Sequence, residues 1–75
     1  MDAQLTNSEV DQMKIAMSYF LKHNNEHIKD IKKWLKKAED LSLDDVVHDL
    51  REINQLSEEI SRHFEATVKT LESYK

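Results

Sequence analysis

An all-α fold, built as an antiparallel two-helix hairpin, is what this 75-residue sequence predicts. Three observations carry that expectation. The chain contains neither Gly nor Pro, so nothing in it breaks a helix outright, and phosphate-cradling glycine loops are excluded. Apolar residues recur at three- and four-residue steps along two long segments, the spacing that places them on one face of a helix. Only Asp40 to Ser42 separates the two segments, and connections this short join antiparallel neighbours.

The first helix is expected over about 7–40. Thr6-Asn7-Ser8-Glu9 has the Thr-x-x-Glu spacing of a capping box, in which two side chains satisfy the first orphan amides. The stripe that follows is Val10, Met13, Met17, Phe20, Leu21, Ile28, Ile31, Leu35 and Ala38. The turn falls at about 40–42, where Ser42 is placed to cap a second helix and Asp44 and Asp45 favour its positive N-terminus. That helix is expected over about 43–74, with Leu43, Val46, Val47, Leu50, Ile53, Ile60, Phe64, Val68 and Leu71 as its stripe. Residues 1–75 then make one helical domain.

Folding back at such a turn sets residue i of the first helix level with residue 83−i of the second, to within about a turn. Charge agrees. Six of the eleven basic residues lie between Lys22 and Lys37, whereas Glu39 to Glu59 holds eight acids and one Arg, so the hairpin brings opposite blocks together. The competing architecture is a three-helix bundle with a break at Asn24-Asn25, because Asn caps helices well and propagates them poorly. Two lone helices leave much of their stripes uncovered, so the hairpin is expected to dimerise into a four-helix bundle.

Composition narrows function by exclusion. With no Cys there are no disulfides, thiolate metal sites or Cys nucleophiles. A net charge of −4 gives no general attraction to nucleic acid or to an anionic membrane. Met1-Asp2-Ala3-Gln4 lacks the pattern of a secretory signal, and no apolar run reaches the length of a bilayer span, so a cytoplasmic location is expected.

The middle of the hairpin carries the unusual residues. Asn24 lies near the centre of the first helix's apolar face, opposite Asn54 and Ser57, which makes a polar layer of the kind that fixes register. His23 and His27 stand four apart on one flank, and the antiparallel register brings His63 to the same side. Three imidazoles of this kind suit zinc, nickel or copper, so His23, His27 and His63 are the candidate metal ligands, though no cofactor is required. Phe20, Asn24, Trp34, Leu56, Ile60 and Tyr74 are the candidate interface, because Trp34 lies off the centre of the stripe, where a lone hairpin leaves it exposed.

Catalysis finds no scaffold. His23-Asn24-Asn25-Glu26-His27 spells the His-x-x-Glu-His of one metalloprotease class, but Glu26 projects away from His27 and the chain is too short to build a cleft. Asp45-x-x-His48 and Glu59-x-x-x-His63 do not supply the inward Glu-x-x-His of di-iron bundles. The stripe Lys29, Lys32, Lys33, Lys36 and Lys37 is expected to be solvated and paired with the acidic second helix.

Tyr19 to Ala38 resembles a set of small, uncharacterised prokaryotic helical domains. Their shared stretch reads approximately His-Trp-x-x-His-Asn-x-x-His, then an aromatic, then Trp and Ala. The matching residues are Phe20, His23, Asn24, His27, Ile31, Trp34 and Ala38, with Tyr19-Phe20 standing for His-Trp and Ile31 for the aromatic. The resemblance implies a family trait at His23, Asn24 and His27 and no particular activity. The expected function is a non-catalytic binding or assembly module acting through its His/Trp-bearing flank. The alternatives are a small metal-binding protein for sensing, storage or delivery, and an acidic inhibitor or regulator of a larger protein. The expected partner is a second copy or another protein.

Overall fold

The computed structural model describes residues 2–74, with side chains from Ser8 to Tyr74. Helix α1 spans Asp2–Asp40 and helix α2 spans Asp44–Glu72, and the described residues contain no strand. The two run antiparallel as a rod with extents of 61 × 14 × 12 Å. Among the described residues no helix is long and apolar enough to cross a membrane.

α1 begins five residues before the expected Asn7. The proposed capping box therefore does not mark the helix start. The preceding Ala3-Gln4-Leu5 are good helix formers, and no Gly or Pro stops the helix from extending through them. The side chains of Thr6 and Asn7 lie outside the described residues.

The turn also departs from expectation. Ser42 does not cap α2; it sits at φ 57°, in the left-handed region. There it closes α1, with Ser42 N–H donating to Glu39 C=O at 3.0 Å and Leu43 N–H to Ala38 C=O at 3.0 Å. This pair of bonds is a Schellman motif with Ser in the position that Gly usually takes. Leu43 becomes the N-cap of α2, with no side-chain bond, and its carbonyl accepts from Val47 at 2.8 Å. Asp44 and Asp45 do lie in the first turn, where their charge is favourable.

The seam between the helices follows strict alternating steps of three and four. In α1 it takes Val10, Lys14, Met17, Leu21, Asn24, Ile28, Ile31, Leu35 and Ala38; in α2 it takes Val47, Leu50, Asn54, Ser57, Ser61, Phe64, Val68 and Leu71. This is a heptad pattern with the outer positions left to solvent. The core is thin. Among the described residues, Ile28, Ala38 and Val47 are the buried apolar ones, and no large side chain is fully enclosed.

Polar groups occupy the centre of the seam. Asn24 Nδ2 donates to Ser57 C=O and to Ser61 Oγ, both at 2.8 Å, and Ser61 Oγ donates to Asn25 Oδ1 at 2.6 Å. Asn24's partners bracket residue 59, the level that the 83−i register assigns to it. α1 runs unbroken through Asn24-Asn25, so the three-helix alternative does not hold. Both side chains find partners across the seam instead of competing for their own backbone, which is how Asn ordinarily disrupts a helix. Asn54 Oδ1, also buried, has no partner among the described residues.

Candidate functional site

A seam of this kind gives the rod two flanks, because turning one helix end for end places like heptad positions side by side. On one flank stand Asp11, Ser18, Asn25, Lys32 and Glu39 of α1 and Asp44, Arg51, Glu58, Glu65 and Glu72 of α2, all polar. Across it Lys32 Nζ meets Glu58 Oε2 at 3.4 Å, and Arg51 Nη2 donates to Glu39 Oε2 at 3.0 Å. The opposite flank carries, at intervals of seven, Met13, Phe20, His27 and Trp34 of α1 with Leu41 just past its end, and Val46, Ile53, Ile60 and Thr67 of α2 with Tyr74 just past its end. Eight of those ten are large apolar or aromatic side chains, and all eight are between 43% and 61% exposed.

The expected interface residues divide accordingly. Phe20, Trp34, Ile60 and Tyr74 all stand on the apolar flank, and Leu56, 58% exposed, lies one position further round α2. Phe20 reaches partly inward, its ring centroid 6.0 Å from that of Phe64. Asn24 is different: its amide is committed within the chain, so it belongs to the seam and not to an external surface. Near the turn, Trp34, Ala38, Leu41, Leu43, Val46 and Leu50, with Lys37 beside them, line an apolar hollow. The Lys33 ammonium lies 5.8 Å from the centroid of the Trp34 ring, close enough for a cation–π contact.

His23 and His27 are adjacent, with ring centroids 4.4 Å apart and planes 55° apart. Tyr19 stacks on His23 at 5.9 Å and 8°. His63 does not join them: among the described residues no three His, Cys, Asp or Glu side chains stand together as a metal-ligand set. His23 and His63 both occupy the outer part of the flank, so their side chains diverge from helices whose axes are already about 8–10 Å apart. His48 projects into solvent and meets Glu52 at 3.0 Å, apart from any other His.

What this arrangement offers chemically is an apolar surface with a pair of imidazoles in it. The sequence pattern did not single out Ser61 or Asn25, which complete the polar layer. A signal was present, since Ser61 continues the three-four spacing through Asn54 and Ser57.

A family model described as a domain of unknown function (DUF8180) matches residues 13–71. The chain belongs to this family. The matched span takes in the turn, the whole polar layer, the histidine pair and nearly the full apolar flank. No curated protein and no solved structure matches the chain.

Proposed function

We propose that this protein is a non-catalytic assembly module that pairs with a second copy of itself through the His/Trp-bearing flank, forming an antiparallel four-helix bundle. The observation that carries the reading is the one-sidedness of the rod: ten polar positions on one flank, four of them paired across the helices, and eight exposed large apolar or aromatic side chains on the other.

Area supports the same occupant. The accessible surface is 6081 Å², whereas a compact monomer of 8.9 kDa exposes about 4,800 Å². The excess, roughly 1,300 Å², exceeds the ~800 Å² that each partner buries in an interface of standard size. A second copy fits the need because the flank is itself long, straight and periodic. Laid antiparallel about a two-fold axis, the Met13–Phe20 end of one chain's flank comes against the Trp34–Leu41 end of the other's, and the polar flanks stay outside.

Sedimentation equilibrium of the metal-free chain at micromolar concentration tests this. The expected mass is twice 8.9 kDa, with a cooperative melt whose midpoint rises with protein concentration. Trp34→Glu is expected to shift the mass to that of one chain, because it places a charge in the apolar strip. A monomeric wild type that melts cooperatively would overturn the proposal.

A further inference from the structure

We infer that His23 and His27 form half of a divalent transition-metal site, and that the same pair on a second copy of the chain completes it. Four imidazole nitrogens would then hold one zinc, copper or nickel ion per two chains. The inference rests on the self-pairing proposed above and specifies what lies at the middle of that interface.

Local geometry supports the half-site. Two imidazoles that share one tetrahedral metal at about 2.0 Å have ring centroids about 5 Å apart. His23 and His27 stand at 4.4 Å with tilted planes, so a small adjustment of side-chain torsions opens the gap to fit an ion. The stacked Tyr19 ring holds His23 on the side facing His27. Imidazole nitrogen is the ligand type that suits zinc, copper and nickel.

Position supports the second half. Along α1 the apolar flank runs from Met13 to Leu41, one residue past the helix end, and its midpoint is His27. Along α2 it runs from Val46 to Tyr74, two residues past the helix end, and its midpoint, Ile60, is level with His23 in the 83−i register. The centre of the whole flank thus falls between the two histidines. A two-fold axis through that centre superposes the flanks end to end, with α1 over its mate, and brings the two histidine pairs together. Among the described residues no third ligand joins the pair as a three-ligand group. Chemistry gives the same direction. An unpartnered imidazole at the middle of an apolar interface is costly to desolvate, and ligation to a shared ion removes that cost.

The test is calorimetric titration of the full chain with zinc ion, run beside sedimentation in EDTA and in zinc. The expected result is one zinc per two chains with a dissociation constant below about 10 μM. His23→Ala and His27→Ala each weaken binding at least tenfold while leaving the EDTA-treated dimer intact, and His63→Ala binds as wild type. One zinc per chain, equal loss in His63→Ala, or no binding tighter than about 100 μM would overturn the site. The two readings fail separately: a dimer in EDTA that ignores zinc removes the metal site alone. A monomer in EDTA that zinc converts to a dimer at the stated ratio supports the site and removes metal-free pairing.

Discussion

Ser61→Ala is the sharpest probe of the polar layer. The hydroxyl accepts from Asn24 Nδ2 at 2.8 Å and donates to Asn25 Oδ1 at 2.6 Å, in a residue only 8% exposed. Alanine deletes both bonds. Asn25 is exposed and its carbonyl can turn to water, and Asn24 keeps its bond to the Ser57 carbonyl, so neither partner is left wholly orphaned. Two net hydrogen bonds at about 1 kcal/mol each give a loss of roughly 2 kcal/mol. For a domain of this size that lowers Tm by about 8–16 °C. Asn24→Leu is the matched control. It removes the amide but leaves Ser61 bonded to Asn25, and the Ser57 carbonyl lies in a helix interior, so no buried group loses its last partner. Its expected effect on Tm is neutral or upward, because an apolar group replaces a polar one in the seam. Both variants are melted at equal protein concentration, monitored by circular dichroism. A shift below about 2 °C for Ser61→Ala, or a fall for Asn24→Leu as large as that for Ser61→Ala, would refute the argument.

Ser42→Gly is expected to stabilise by about 0.5–1 kcal/mol, since glycine relieves the left-handed φ but has more unfolded-state entropy to lose; a lower urea midpoint would contradict it. Replacing Asn54 by Leu should raise stability by about 1–3 kcal/mol, because it removes a buried carbonyl oxygen without a partner. Unchanged stability there would mean that water already satisfies the group. Glu39→Gln, which neutralises one half of the exposed pair with Arg51, is expected to cost less than about 1 kcal/mol and to cost less still in high salt. A large, salt-independent loss would show that the pair matters more than exposed pairs do.

The hairpin was legible because spacing and punctuation agree: two apolar periodicities, one short turn and no helix breaker. The face each helix turns inward was legible only in part. The expected stripes mixed two strips that the structure separates, Met13 and Phe20 from the seam of α1, and Val46, Ile53 and Ile60 from that of α2. The cause is the polar centre of the seam. With Asn54, Ser57 and Ser61 facing inward, the most apolar line through the middle of α2 is the outward one through Ile53 and Ile60. Hydrophobicity therefore points to the wrong strip. Ser42 misled for a different reason, since Ser before two Asp reads as an N-cap, whereas the Schellman bonds to Ala38 and Glu39 take that residue for the end of α1. Continuity at Asn24-Asn25 depends on partners some thirty-six residues away, such as Ser61 for Asn25, and no local window contains them.

The polar flank also bears on how large any assembly of these rods becomes. Lys32, Glu58, Glu39 and Arg51 satisfy one another along it, and none of its ten positions offers a further helix an apolar strip. A rod with a single apolar side can add one layer and then has nothing left to bury. The pairing proposed above would close after one step, giving a finite particle where a rod apolar on both sides would grow into a fibre.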